Sequence, residues 1–343
     1  MAYYIFTLKF LTPVHFGDAA NGGFLDKIAM SCSADTLFAA LCNEAALQGE
    51  AVVQQFLEKV SEKKVAFSSL MPYFRVLDKE KKKETDIHFY LPKPLLTDEV
   101  NKQSAKSFQE MKQLATKLKK QKKTSFIRAS QIKQLLQSRK NGVAPELQVD
   151  DFAVPFVSGR VNLRDEKPQP YYVGSYVFAD NAGLYLLCSV EDDADIDFVK
   201  KLLSSLGASG IGGKRSSGYG KFAIADVSCK LSADGGKSDD DSAIALMLFA
   251  ADSSLQMCVA PLCPQQEDVL SVKAGAYRLV KRGGFISSPE LGENVKRNSI
   301  YMLAEGSCFS KRLEGRMLEQ SIAGLSHRVY RNGLGMFLGL RDD

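Results

Sequence analysis

Tyr4, Phe6, Leu8 and Phe10 alternate with Tyr3, Ile5, Thr7 and Lys9, a period of two that predicts a strand. A loop carrying Pro13, Gly17, Gly22 and Gly23 follows. The period then becomes helical: Leu37, Phe38, Leu41 and Ala45 form one stripe, Ser33 is the expected N-cap, Asp35 sits in the first turn and Gly49 is the stop. Val52, Val53, Phe56, Leu57 and Val60 predict a second, short helix. Residues 78–85 are nearly all charged and read as a hairpin tip or loop. Residues 98–150 predict a lysine-rich helical insertion, with Ile132, Leu135 and Leu136 as its apolar stripe behind Ser130. Residues 171–178 and 184–190 read as strands joined by the turn Asp180-Asn181-Ala182-Gly183. A helix comes next, with Asp195 as its cap and Ile196, Val199, Leu202, Leu203 and Leu206 as its buried stripe before Gly207. Beyond a glycine-rich stretch, Phe222, Ile224 and Val227 predict another strand.

With the insertion set aside, the order is strand, helix, strands, helix, strand, which is the ferredoxin-like split β-α-β plan of an α+β protein. Ser232 and the residues after it, through Gly235 and Gly236, make the best linker, at 231–242. The first domain is then 1–230, with its insertion at about 86–170 and a glycine-rich loop at 210–221. Residues 243–249, 276–281 and 336–340 predict strands with little helical signal between them, so 243–343 is expected to be a second, degenerate ferredoxin-like (RRM-like) domain.

At 343 residues, with 45% hydrophobic and 25% charged residues, the chain has the composition of a soluble globular protein with one large core or two smaller ones. The start, MAYYIFTLKF, lacks the basic and apolar regions of a signal peptide, and no window approaches a membrane span, so a cytoplasmic protein without a membrane partner is expected. Seven scattered cysteines without a C-x-x-C argue against a disulfide framework or zinc site, and no cofactor is implied. The net charge of +5 is mild, but residues 101–140 hold twelve Lys or Arg and one acid, Glu110. Such a local excess suits a polyanion, and equally a solvated helix face.

The stretch with the most specific chemistry is Gly210-Ile211-Gly212-Gly213-Lys214-Arg215-Ser216-Ser217-Gly218-Tyr219-Gly220-Lys221. Its five glycines permit positive φ and close backbone approach. Lys214, Arg215 and Lys221 supply charge, Ser216 and Ser217 supply hydroxyls, and Tyr219 offers a face for a base. The combination suits a phosphodiester chain. A P-loop is excluded, because Lys214 is followed by Arg215 and the first required glycine falls on Ala208. The dinucleotide pattern is excluded too, since Gly210 and Gly212 would require glycine at Arg215.

This stretch, with Phe222, resembles the glycine-rich loop of the RAMP superfamily of CRISPR-associated proteins, and among them the fourth Csm subunits of type III-A interference complexes. Further similarity lies in Pro13-Val14-His15-Phe16-Gly17, in Ser33-Ala34-Asp35-Thr36-Leu37-Phe38-Ala39-Ala40-Leu41 and in Tyr90-Leu91-Pro92-Lys93-Pro94. In the second half it lies in Tyr277-Arg278-Leu279-Val280-Lys281-Arg282-Gly283-Gly284-Phe285 and in Gly306-Ser307-Cys308-Phe309-Ser310. The resemblance implies a subunit that holds the repeat-derived 5′ handle of crRNA. It also implies contacts with the large polymerase/cyclase-like subunit and with the first backbone RAMP subunit. A thumb-like hairpin that pushes between guide nucleotides is implied as well, here at residues 158–164 with the following turn. The RNA-binding residues expected on this basis are His15, Gly17, Arg160, Asn162, Arg164, Gly212, Gly213, Lys214, Arg215, Ser216, Ser217, Gly218, Tyr219, Lys221, Lys281 and Arg282. No catalytic residue is expected. The alternatives are an endoribonuclease with His15 as general acid/base and Lys214 stabilising developing charge, and a pure assembly protein with little RNA contact. His88 and His327 are isolated in the sequence and read as structural or surface residues.

Overall fold

A computed structural model describes residues 1–17, 24–78, 84–96, 124–140, 149–163, 167–232, 238–286, 295–322 and 324–341, with single positions at 109, 112, 147, 288, 290 and 291. The first half contains β1 (Ala2–Phe10), the short pair β2 (Phe16–Gly17) and β3 (Ile28–Ala29), helices α1 (Ala34–Gln48) and α2 (Glu50–Ser61), then β4 (Val65–Phe67), β5 (Met71–Leu77) and β6 (Glu84–Pro92). It continues with β7 (Phe126–Arg128), α3 (Gln131–Lys140), the long hairpin β8 (Ala153–Asn162) and β9 (Gln169–Phe178), β10 (Ala182–Val190), α4 (Asp195–Ser209) and β11 (Phe222–Leu231).

The main sheet has the order β11-β1-β10-β5-β6-β7, with β4 also paired to β10, and every pairing is antiparallel. On one face, Phe6, Leu8, Leu186 and Cys188 meet Leu37, Phe38 and Leu41 of α1, Phe56 and Val60 of α2 and Leu202, Leu203 and Leu206 of α4. These helical residues are the stripes that the period predicts. At α1, Ser33 occupies the N-cap position in an extended conformation but its side chain makes no capping hydrogen bond. At α4 the expected cap is displaced by one residue: Ala194 holds the N-cap position, and Asp195 lies in the first turn, 2.7 Å from Lys59 of α2. A carboxylate there still complements the helix dipole.

The second half contains α5 (Asp239–Phe249), β12 (Gln256–Cys258), α6 (Val269–Ala274), β13 (Leu279–Arg282), β14 (Phe285–Ile286), β15 (Val295–Lys296) and β16 (Ile300–Leu303). It ends with β17 (Cys308–Phe309), β18 (Leu318–Gln320), β19 (Val329–Arg331) and β20 (Phe337–Gly339). Its small sheet has the order β17-β12-β20. Residues 243–249, expected as a strand, are helical. An apolar run without clear period does not separate a buried strand from a buried helix. The arbiter is the start: Ser238 and Asp241 form a reciprocal capping box, and Asp239, Asp240 and Asp241 stand at the positive end of the helix dipole. Those acids therefore belong to α5 rather than to a linker. The connection after β11 shortens to residues 232–238, of which 233–237 lie outside the described residues.

The second half also covers the other face of the main sheet. Ile5, Met71, Tyr185 and Leu187 share a core with Ile244 and Leu248 of α5, with Met257, and with Met336 and Leu338. All nine residues of β10 are consequently buried. Asp240 fixes this layer: its fully buried carboxylate accepts from the amides of Phe89 (3.0 Å) and Ser130 (2.8 Å) and from Nε of Arg128 (3.0 Å). The expected insertion is thus tied down by β7 at the sheet edge and by α3, whose Ile132, Leu135 and Leu136 are buried. The rest of its lysine-rich stretch, and most of the charged residues 78–85, lie outside the described residues.

Candidate nucleic-acid interface

The loop at 210–221 connects α4 to β11 and is laced to the segment after β1. Ile211 donates to the carbonyl of Gly220 (3.0 Å), closing the base. Gly220 donates to Pro13 (2.8 Å), Gly213 to the His15 carbonyl (2.8 Å), and the Lys221 amide to Oγ1 of Thr12 (2.9 Å). The tip is a single 3-10 turn, Arg215–Ser217, flanked by left-handed residues Lys214 (φ 60) and Gly218 (φ 83). Ser216 and Ser217 are exposed at this tip, Lys221 is exposed at the base, and Lys214 and Arg215 are half-buried.

Most of the glycines answer to the protein's own packing rather than to a ligand. A Cβ on Gly212 (φ +93) would lie 2.6 Å from the His15 carbonyl oxygen, and one on Gly213 would lie 2.6 Å from Cδ2 of the His15 ring. At Gly220 a Cβ would meet the Ile211 oxygen at 2.0 Å. Only Gly218 in this loop has open space around the missing side chain, as does Gly17 on β2.

His15 is 6% exposed, and its Nδ1 lies 2.7 Å from the carbonyl oxygen of Gly174 on β9. That contact places the proton on Nδ1, which donates to the carbonyl. Val14 and Tyr176 exchange two backbone hydrogen bonds at 2.9 Å, so residues 13–17 lie between the loop and the hairpin.

The hairpin touches the loop through one cross-strand pair, Arg160 opposite Tyr171. Arg160 Nη2 donates to the Tyr219 hydroxyl (3.0 Å), with its guanidinium carbon 5.3 Å from the ring centre, and Nζ of Lys214 lies 5.0 Å from the centre of the Tyr171 ring. Tyr219 is 8% exposed, so the face expected to receive a base is occupied by Arg160. Tyr171, which the sequence reading did not single out, becomes visible only once the strands are registered against each other. The hairpin's opposite face carries Val157, Val161 and Tyr172, all exposed, with Tyr172 at 64%. Asn162 is the last residue of β8, and Arg164 lies outside the described residues.

Lys281 and Arg282 sit apart from this assembly, on β13. Arg282 is turned inward: Nη2 and Nε bind Asp35 at 2.7 and 3.1 Å, and Nη2 reaches Oγ1 of Thr36 at 2.7 Å. Arg331 joins the same carboxylate at 3.1 Å. Burial opposes the charge of Arg282, and Asp35 outweighs it, leaving that guanidinium pKa above its usual value. Arg282, expected on RNA, is instead committed to the first turn of α1, whereas Lys281 remains exposed.

His88 is not isolated, since Nδ1 lies 2.7 Å from Asp150, which also accepts from the Tyr90 hydroxyl (2.7 Å). Cys32, Cys42, Cys188, Cys258, Cys263 and Cys308 are free thiols. Among the described residues no group of His, Cys, Asp and Glu is placed to hold a metal ion, and no helix is long and apolar enough to cross a membrane.

Comparison with known proteins adds to this geometry. A family model described as the CRISPR Csm4 C-terminal domain matches residues 251–340. A Mycobacterium tuberculosis protein named CRISPR system Cms protein Csm4 is 30% identical over 331 residues, covering 95% of this chain and 94% of the relative. A Streptococcus thermophilus protein of the same name is 27% identical over 346 residues, covering 99% of each. Among solved structures, a chain of a Csm3–Csm4 subcomplex from a type III-A CRISPR-Cas interference complex superposes with a TM-score of 0.60 at 17% identity, covering 99% of this chain and 100% of that one. A chain of a Csm1–Csm4 cassette in complex with pppApA gives 0.59 at 19% identity, covering 99% and 98%. The structural likeness shows a shared fold, and the near full-length sequence identity shows the family: the chain belongs to the Csm4 family of CRISPR-system proteins.

Proposed function

We propose that this chain is the subunit of a type III-A effector complex that holds the 5′ handle of crRNA, and that it does so without chemistry of its own. The observation that carries the reading is the convergence of three segments distant in sequence. The tip of the 210–221 loop, the His15 segment and the Arg160–Tyr171 pair are hydrogen-bonded or stacked into one surface. Lys214, Arg215 and Lys221 line it as phosphate partners, with the Ser216 and Ser217 hydroxyls beside them. The distal hairpin, with Tyr172 and Val161 exposed, has the amphipathic form of a wedge between nucleotides.

The ferredoxin-like reading of the first half is supported by the strand order. β11 lies beside β1, β1 beside β10, and β10 beside β4 and β5, with α1, α2 and α4 on one face. The three-stranded sheet of the second half suits a degenerate copy. The partners are the large polymerase/cyclase-like subunit and a backbone RAMP subunit. This is supported by the similar chains' occurrence in Csm1–Csm4 and Csm3–Csm4 assemblies.

A binding role for His15 is favoured over catalysis by its setting. A general base must reach the 2′-OH it deprotonates, whereas this ring is buried between Gly213 and the Gly174 carbonyl. The test is photocrosslinking of a bromouridine-substituted handle in the assembled complex. Crosslinks to peptides containing residues 13–17, 158–163 or 210–221 are expected. Crosslinks confined to the partner chains would make this an assembly protein instead.

A further inference from the structure

A second long hairpin, here called the arm, lies in the other half of the molecule. β13 pairs with β16 and β14 with β15, and the Arg297 amide donates to the Gly284 carbonyl (2.9 Å) between the two ladders. The four strands therefore form one continuous hairpin. The two ladders are joined through Gly283-Gly284, where Gly284 has φ +117, a conformation that disfavours a side chain. The arm is held at this junction. Arg282 is clamped to Asp35 of α1, Arg331 donates to the Gly283 carbonyl (3.2 Å), and Arg297 donates to the Tyr330 carbonyl (3.0 Å).

Both halves of the arm present the same combination. In the register, Lys281 stands directly opposite Tyr301, and Phe285 directly opposite Lys296. Directly opposed residues in an antiparallel pair share a face. All four are exposed, Tyr301 at 65% and Phe285 at 67%. Leu279 continues the exposed face toward the base, with Arg278 exposed beside it. The four strands contain no acidic residue. Among the described residues, Lys281, Lys296 and Arg278 form no ion pair, and neither ring is covered by a cation, in contrast to Tyr219 and Tyr171.

Large aromatic side chains held in water, as Tyr301 and Phe285 are, mark an interaction site. A ring and a lysine side by side, repeated along strands without acids, is complementary to alternating bases and phosphates, the acids Glu290 and Glu293 lying in the connection between β14 and β15. We propose that the β13–β16 arm is a second surface for single-stranded RNA, with Tyr301 and Phe285 stacking on bases and Lys281 and Lys296 meeting phosphates. It extends the reading of the 210–221 surface, but it stands on different residues and fails separately.

The experiment uses the full chain with a fluorescein-labelled, single-stranded 40-nucleotide RNA. Affinity is measured by anisotropy, and 254 nm crosslinks are mapped by mass spectrometry. Phe285→Ala/Tyr301→Ala is expected to weaken binding at least roughly tenfold, the loss of two stacked bases. Lys281→Ala/Lys296→Ala is expected to lower the slope of log affinity against log salt by about 1.4. Crosslinked peptides should include Tyr301 or Phe285. All four side chains are exposed, so melting temperatures should remain those of the parent chain.

Crosslinks at the arm without crosslinks at 210–221 would uphold this inference and remove the loop from the RNA path. Crosslinks only at 210–221, with wild-type affinity in both double variants, would overturn the arm and leave the loop reading intact. Double variants that bind RNA normally but no longer retain another subunit on co-purification would make the arm a protein interface, and would overturn the inference as well.

Discussion

Arg160 reaches across from the β8–β9 hairpin to cap Tyr219 of the glycine-rich loop, its Nη2 donating to the phenol oxygen over 3.0 Å. A nearly buried tyrosine is satisfied by a cation that arrives from a separate hairpin, so the loop and the hairpin are one mechanical object. Tyr219→Phe keeps the ring beneath the guanidinium and should cost about 1 kcal/mol of stability, one hydrogen bond. Arg160→Ala removes both contacts. It is expected to weaken binding of handle RNA more than Tyr219→Phe does, and to expose the hairpin to limited proteolysis. Equal RNA affinities for the two variants would show that the contact does not organise the surface.

Charge at the loop tip should be read in the salt dependence. Replacing Lys214 and Arg215 together removes roughly two phosphate partners, and the slope of log affinity against log salt should flatten by about 1.4 for single-stranded RNA. Titration at several potassium chloride concentrations measures it. An unchanged slope moves the RNA path away from the loop.

His15 and Gly213 are coupled through space. Gly213→Ala would set a Cβ 2.6 Å from Cδ2 of the His15 ring, so the ring or the loop must shift. Lower melting temperature and weaker RNA binding are expected from Gly213→Ala. Partial recovery is expected in Gly213→Ala/His15→Ala, where the obstructing ring is gone, and strictly additive losses would rule out this packing relationship. Incubation of repeat RNA with the wild-type chain and with His15→Ala should leave equal amounts of intact RNA.

Asp240 is the buried hub between α5 and the edge of the main sheet. Asp240→Ala leaves the Arg128 guanidinium and two amides without an acceptor, and a loss of about 3–5 kcal/mol in chemical denaturation is expected. Arg128→Met should cost less, because the carboxylate keeps its two amide donors.

Arg297 offers a pH signature. Burial, reinforced by the positive charge of Arg331, pushes its pKa down to about 10. A base whose pKa is depressed on folding destabilises the folded state while it is charged, below that folded value. The cost fades as the pH rises through it toward the unfolded pKa. Arg297→Met should therefore raise the melting temperature at neutral pH, with a gain that holds up to about pH 10 and shrinks above it. A gain that stays constant above that pH would assign the effect to packing.

The helical stripes were legible in the sequence because each is a local pattern: Leu37, Phe38 and Leu41, and Leu202, Leu203 and Leu206, are buried where the period places them. The segment 243–249 was not, because its apolar side chains serve equally as strand or helix, and the acidic capping box before it reads equally as a linker. The glycine-rich loop was legible in composition, but the reasons for its glycines were not. Gly213 is small because of His15, and Tyr219 is covered because of Arg160, relationships that exist only once distant segments have met. Arg282 shows the converse, since the family resemblance implies an RNA contact while its actual counter-ion is Asp35.

The complete burial of β10 has a consequence for synthesis. The main sheet is fully translated once Leu231 has left the ribosome, yet one of its faces shares its core with Ile244, Met257, Met336 and Leu338 of the second half. At 5–20 residues per second the remaining stretch takes roughly 5–20 s to appear. During that interval Tyr185, Leu187 and Met71 lack the part of their cover that the second half supplies, the kind of exposed apolar surface that chaperones bind.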